Sequence, residues 1–484
     1  MNKIMLTIAG FIFLLSGCGG GGGGGGEPAP VAAPGAPVVA PPVAVPATAA
    51  PVAAPPVATA LAPAVAQRPE DGDAEDPAVL SPPGDQPAIE TEETVETGGP
   101  ADFAFGGYAA AQLAVNLQDG GASDDPGAQV QTAASASRQT LYVAGTGSDS
   151  NAGTSRSPFR SIARAAKAAK PGSRILVAPG SYSGGFRTTV DGSAAARISF
   201  VSSTKWGARI VPPRSSPNKT GWDNRGDYVD IIGFDVDGSN YQGGTRWTHG
   251  IYNGGSHVSV RNNHVHHIAQ ANGCDRGGGA AIGMDSYYGG VKADVISNLV
   301  HDIGPAGCRY VQGIYISTSG RVKNNVIYQV AEGGVHLWHD AYDVIITNNT
   351  VSGSNTGIIV GGGNFYHSSK GADYVAVYSN IVYDNVMGIS EQGKTGQNNT
   401  YRNNLVYQNS RYDWRLKNGL THSGTVNAPP EFQASARSSK PNLKLTASSP
   451  AIGRATPSHA ESTDFEGKPR NAAAGYDIGA YQHR

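Results

Sequence analysis

Asn298-Leu299-Val300, Asn325-Val326-Ile327 and Asn349-Thr350-Val351 are three returns of one step, an asparagine leading into a short apolar run. The step also stands at Asn263-His264-Val265, Asn380-Ile381-Val382 and Asn404-Leu405-Val406, so successive spacings are 35, 27, 24, 31 and 24 residues. Between these lies a second step, glycine then an apolar residue: Gly250-Ile251, Gly283-Met284, Gly313-Ile314, Gly334-Val335, Gly357-Ile358 and Gly388-Ile389. A unit of about two dozen residues with two or three short strands has no core of its own. Stacked units pair each strand with the one above and bury a continuous apolar column. Asparagines returning at one corner stack as a hydrogen-bonded ladder. The spacing therefore predicts an all-β solenoid, with the longer intervals carrying inserted loops.

Working outward, one helix signal precedes the repeats: Ser161 to Lys170, with Ile162, Ala165, Ala166 and Ala169 on one face, Ser157 or Ser161 as cap, and Pro171-Gly172 as stop. Tyr142-Val143-Ala144, the polar run Gly147 to Thr154, Ser157-Pro158-Phe159, this helix and Ala178-Pro179-Gly180-Ser181-Tyr182 resemble the N-terminal capping segment of the right-handed parallel β-helix proteins of the pectate-lyase-like superfamily. Ser449-Pro450-Ala451-Ile452-Gly453, Asp464 to Arg470 and Tyr476 to Tyr481 resemble their terminal segment. The resemblance covers residues 138–484. It implies a single-stranded right-handed parallel β-helix with a short capping helix, and leaves the reaction open among lyases, hydrolases, epimerases and adhesins.

The chain totals 36 basic and 38 acidic residues, but the two signs are segregated. Up to residue 138 there are 3 basic and 15 acidic residues, which leaves 33 and 23 for the remainder. An acidic arm thus precedes a basic body. The arm opens with Lys3 and an apolar run from Ile4 to Leu15, too short to span a membrane and laid out as an export signal. Leu15-Ser16-Gly17-Cys18 resembles a bacterial lipoprotein box, which implies a signal peptide over 1–18, a lipidated Cys18 and, with Gly19 next, an outer-membrane or cell-surface location. Residues 19–137, rich in Gly, Pro and Ala and then acidic, hold too few large apolar residues to offset ordering and are expected to form a disordered tether. Cys274 and Cys308 lie 11 and 10 residues after their ladder asparagines, and so at equivalent places in successive coils. Strands there are about 4.8 Å apart, which suits a disulfide; two buried thiols are the other reading.

Side chains alternate along a strand. If the residue after each glycine points inward, the next row outward is Tyr252, Asp285, Tyr315, His336 and Ile359, followed by Gly254, Tyr287, Ser317, Trp338 and Gly361. Rings beside titratable groups on an open groove suit sugar chemistry. The expected catalytic residues are His336, Tyr315, Asp285 and His339, with Asp340 or Asp343 orienting the His339 ring. Arg276, Arg309, Tyr287, Trp338 and His249 are expected to bind substrate. His249, His257, His264, His266 and His267 raise a zinc reading, but their spacing is equally that of a repeating turn. Asp230, Asp235 and Asp237 offer hard oxygen ligands. The resemblance implies calcium in several lyases, so calcium is expected there if it is used; otherwise the group is a surface turn. No other cofactor is expected.

A basic, exported body suggests an acidic polysaccharide as partner. The other expected contact is the membrane through the anchor; the chain is expected to be monomeric, with no nucleic-acid partner. Elimination across a uronic acid needs its carboxylate neutralised, a base for the proton at carbon 5 and an acid for the leaving oxygen. His336 is the expected base and Tyr315 its partner, in a polysaccharide lyase. A carbon-5 epimerase shares the proton abstraction, a glycoside hydrolase would need paired carboxylates, and a binding module needs neither.

Overall fold

The computed structural model describes residues 138–214, 217–239, 246–270, 278–305, 308 and 310–484. Within these residues the chain winds through three parallel sheets in rotation. Sheet 1 has eleven strands, from Thr140–Val143 to His422–Ser423, sheet 2 nine, from Phe186–Thr188 to Tyr412–Arg415, and sheet 3 nine, from Gly180–Ser183 to Leu405–Tyr407. Each strand pairs with its counterpart one coil away, which makes the body a single-stranded right-handed parallel β-helix.

The repeated steps set this architecture. Ile251, Ile282, Ile314, Val335, Ile358 and Ile389 stack along the inside of sheet 2, and Val236, Val265, Val300, Ile327, Val351 and Val382 along sheet 3, all fully buried. Each such side chain contributes about 1.5–3 kcal/mol. At the corner between sheets 1 and 3 the asparagines form the expected ladder. The backbone N–H groups of Asn263, Asn298, Asn325, Asn349 and Asn380 each donate to the side-chain oxygen of the next asparagine at 2.9 Å. The residue before each, from Asn262 through Ser297, Asn324, Asn348 and Ser379 to Asn403, has φ between 53° and 58°, the left-handed bend that turns the chain.

The helix spans Ile162–Ala168, capped by Ser161, whose hydroxyl accepts from the Arg164 N–H at 3.1 Å. It is shorter than its sequence signal and packs Ile162, Ala165 and Ala166 against the first coil. The terminal segment runs back beside the ladder corner: Gly479 N–H donates to the Ser379 carbonyl and buried Arg470 donates to Asn324 Oδ1.

One register differs from expectation. Ile282, not Met284, pairs with Ile251 and Ile314, so Gly283 takes the outward place between Tyr252 and Tyr315. The position that carries glycine in the other coils is Ala281 here. Asp285 consequently stands one outward place further along.

Candidate active site

The outer face of sheet 2 carries three parallel rows. The first runs Thr220, His249, Ala280, Gln312, Gly333 and Thr356; the second Asp223, Tyr252, Gly283, Tyr315, His336 and Ile359. By continuation of the same register the third aligns Arg225, Gly254, Asp285, Ser317, Trp338 and Gly361. The structure therefore brings Tyr315, His336, Trp338, Asp285 and His249 onto one face. It does not leave them on an open groove: Asp285, Tyr315, His336, Trp338 and His339 are between 0% and 3% exposed. Of the expected contacts among the described residues, only Tyr287 is open, at 44%, next to Tyr288 at 38%.

Part of the cover is the loop around residue 366, held by Asp340. The Asp340 carboxylate accepts the backbone N–H groups of Tyr366, His367 and Ser368 and the hydroxyls of Ser286 and Ser368. This occupies the carboxylate, so it is not the partner expected for His339. That ring instead donates Nδ1–H to the Asn364 carbonyl at 2.8 Å, which leaves Nε2 to accept the Tyr366 hydroxyl at 2.7 Å. Tyr366, which sequence reasoning missed, also stacks on His339 at 4.0 Å. Burial holds His339 below the ordinary histidine value.

Asp285 is tied to its neighbours. Oδ1 accepts from the Ser317 hydroxyl at 2.7 Å and the Tyr287 N–H, and Oδ2 from the Tyr252 hydroxyl at 2.9 Å. Burial, with the Asp285 charge added, pushes Tyr315 well above its usual value and keeps it protonated. Burial, with His339 adding to it, pushes His336 down to about 3. Rings of Tyr315 and His336 meet edge to face at 5.4 Å, and His336 and Trp338 at 5.7 Å.

The distinctive property of this face is what the protein leaves undone. Both ring nitrogens of His336, Nε2 of His249, Nε1 of Trp338 and the hydroxyls of Thr220 and Thr356 are buried with no hydrogen-bond partner among the described residues. Each such atom costs about 1–3 kcal/mol relative to a paired one. At the N-terminal end of the face lies an open depression of about 420 Å³ lined by Arg187, Arg225, Asp227, Ser256 and Tyr288 among others. Arg187 and Arg225 both contact Asp223, and the Arg225 guanidinium lies 3.6 Å over the Tyr288 ring. From there Tyr288, Tyr287 and Tyr366 follow one another at centroid distances of 4.9 and 5.2 Å.

The other residues singled out by the sequence fall elsewhere. Arg276, Arg309 and Cys274 lie outside the described residues, as does everything up to residue 137, Cys18 included; Cys308 is buried. Asp230, Asp235 and Asp237 do not form one site. Asp230, on sheet 1, is gripped in two-pronged fashion by Arg197, whereas Asp235 and Asp237, on sheet 3, face Arg209 and histidines. A guanidinium and imidazole nitrogens do not suit calcium, which takes oxygen ligands. His257 stacks on Tyr228, away from both His249 and the sheet 3 histidines.

Fold and face together define a right-handed parallel β-helix with a covered, incompletely paired polar face on its second sheet. A family described as "Protein of unknown function (DUF1565)" matches residues 145–189, the capping segment and first strands. No curated protein matches the chain. Among solved structures, pectate lyase Pel9A is similar at 17% identity over 72% of this chain and 97% of that one, with a TM-score of 0.47. An alginate lyase from Paenibacillus sp. str. FPU-7 gives 19%, 60%, 96% and 0.44. The A-module of the Azotobacter vinelandii mannuronan C-5 epimerase AlgE6 gives 16%, 55%, 69% and 0.38.

Proposed function

We propose that the chain is a polysaccharide lyase that cleaves a uronic-acid-containing chain by β-elimination on the outer face of sheet 2. The observation that carries this reading is the set of partnerless polar atoms on Thr220, His249, His336, Trp338 and Thr356. A sugar, whose hydroxyls both donate and accept, would complete them once the loop around residue 366, held by Asp340, moves aside. Tyr287 and Tyr288 offer exposed rings for pyranose faces, and the depression lined by Arg187, Arg225, Asp227 and Ser256 offers polar groups to the hydroxyls of a sugar further along the polymer.

In the elimination His336 takes the proton from carbon 5. The electrons of that bond form a double bond between carbons 4 and 5, the bond from carbon 4 to the glycosidic oxygen breaks, and the departing oxygen takes a proton from Tyr315. Burial suits these roles: it keeps the His336 ring neutral and Tyr315 protonated. A uronate carboxylate arriving beside His336 raises the ring's affinity for a proton, because opposite charge favours the ionised form. His339, hydrogen-bonded to Tyr366, is the further proton carrier. With this reading goes anchorage through a lipidated Cys18 and the tether of residues 19–137 at the outer membrane.

The test is incubation of the full chain with a panel of uronic-acid polysaccharides while following ultraviolet absorbance. New absorbance, from unsaturated ends, is the expected result. Reducing ends without absorbance would show a hydrolase, and exchange of solvent hydrogen at carbon 5 without cleavage an epimerase. Binding without any reaction would leave the face a recognition surface. Each of the last three outcomes overturns the lyase reading.

A further inference from the structure

The most concentrated group of titratable side chains outside sheet 2 is on the outer face of sheet 3. The coil register aligns Asp237, His266, His301 and Tyr328 in one row and sets His264 over Asp235 in the next. The rings stack, with centroids 4.1 Å apart for His264 and His266, 5.2 Å for His266 and His301, and 4.8 Å for His301 and Tyr328. Sequence reading counted His264, His266 and His267 but missed His301, which stands three residues after its ladder asparagine as His266 does.

The hydrogen bonds fix which nitrogens carry protons. His301 Nδ1 lies 2.6 Å from Asp302 Oδ2, His264 Nδ1 lies 3.1 Å from Asp235 Oδ1, and His266 Nε2 lies 2.9 Å from the same oxygen. A carboxylate only accepts, so these three nitrogens are the protonated ones and the opposite nitrogen of each neutral ring is bare. The bare nitrogens converge. His264 Nε2 faces His301 Nε2 at 2.7 Å, and His266 Nδ1 faces His267 Nδ1 at 2.5 Å. For His264 and His301, whose other nitrogens are both on carboxylates, two lone pairs at that distance repel unless a cation lies between them; no carboxylate fixes the His267 tautomer, so its Nδ1 either donates to His266 or is a further ligand nitrogen.

Charge points the same way. Asp235, Asp237 and Asp302, set against Arg209, leave two negative charges while the rings are neutral. Two overlapping triads, His264–His266–His301 and Asp237–His266–His267, have their donor atoms within 4.8 Å of one another. Zn–N bonds of about 2.0–2.1 Å at tetrahedral angles put ligating nitrogens roughly 3.4 Å apart, so each facing pair has to part by less than about 1 Å. Asp235 and Asp302 already stand as the carboxylates that orient metal-bound imidazoles.

We propose that this cluster binds a borderline divalent cation of the Zn²⁺ class, with His266, common to both triads, as the pivotal ligand. Imidazole nitrogen with one carboxylate selects such an ion over calcium. The partly closed surroundings and the span over successive coils make it a structural clamp rather than a second reaction centre.

The test uses the untagged full chain, loaded with Zn²⁺ or Co²⁺, desalted, and read by elemental analysis and by the visible d–d spectrum of Co²⁺. The expected results are retention of at least one ion per chain, loss of affinity by more than about 100-fold in His266→Ala, and roughly tenfold weakening in Asp302→Asn, where only the orienting carboxylate is changed. His301→Ala and His267→Ala tell the triads apart, because the ion is lost only from the variant whose substitution breaks the triad that holds it. His257→Ala, outside the cluster, should bind as wild type. No retained ion in the wild-type chain, preference for Ca²⁺, or undiminished Co²⁺ binding by His266→Ala with native circular dichroism would each overturn the proposal.

Discussion

The asparagine ladder and the outer face of sheet 2 are both rows of buried polar side chains generated by one coil repeat, and they differ in whether the protein completes them. In the ladder, Asn349 Oδ1 accepts from Asn325, and its amide reaches both Asn380 and the Val322 carbonyl. On sheet 2, His336 is as deeply buried and neither nitrogen has a hydrogen-bond partner among the described residues. A satisfied row holds coils in register; an unsatisfied row lowers stability in exchange for an address where a ligand can complete it. Opposite responses to substitution should expose that difference.

The largest effect is expected at His336. Replacing it by Gln should lower kcat by about 10²–10⁴-fold, the usual loss for a positioned proton-transfer group, without lowering the thermal midpoint. Full activity in both His336→Gln and Tyr315→Phe would sink the site assignment even if the reaction class held.

Next comes the ladder. Asn349→Ala orphans the Asn325 N–H and the Val322 carbonyl, at about 1–3 kcal/mol each, so a loss of roughly 4 kcal/mol is expected in urea unfolding. Activity per folded molecule should stay unchanged. A loss below about 1 kcal/mol would mean that water enters this corner and that the ladder is not a sealed row.

Acid should separate the two regions again. The folded value of His336, about 3, lies below the ordinary 6.5 of the unfolded chain, so the unfolded state binds its proton first as pH falls. Stability linked to this ring is therefore complete above about pH 6.5 and is lost toward pH 3, by up to about 1.4 kcal/mol per pH unit. His336→Phe removes that term, so the stability gap between wild type and variant should shift in the variant's favour across this window. Asn349→Ala, which removes no titrating group, should run parallel to wild type. The same low value predicts that kcat/KM shows no acid inflection near 6.5; a clear one there that disappears in His336→Gln would mean that the ring is not held low in the free protein.

How much of this was readable in the residues follows the physics of each feature. The ladder, the inward columns and the capping helix were legible because each depends on local spacing and on alternation within one coil. The misplacement of Asp285 arose where glycine marks two different things: Gly283 fits the repeat by eye, but Ile282 fills the column and Ala281 takes the glycine's place. Burial of His336 and Tyr315 was not legible. Part of the cover is the loop carrying Tyr366, anchored by Asp340 through bonds that span 26 to 28 residues, and no periodicity announces it. Adjacency in Asp235-Val236-Asp237 says nothing of Arg209, which the next-coil register sets against both carboxylates. His301 was within reach, since its offset from Asn298 repeats that of His266 from Asn263.

The smallest expected effect tests whether the exposed rim belongs to the same site as the covered face. Tyr287 is the ring between Tyr288, over Arg225, and Tyr366, on His339, yet its side chain makes only edge contacts with both. If polymer lies along this ledge, Tyr287→Ala removes one stacking surface worth about 1 kcal/mol. KM should then rise about fivefold while kcat and the unfolding midpoint stay put, because the ring touches neither the reacting sugar nor the core. Tyr374, more exposed at 53% but off this path, is the matching control. Equal effects from the two substitutions would detach the ledge from the site, whereas a loss confined to kcat would move Tyr287 from the rim into the chemistry.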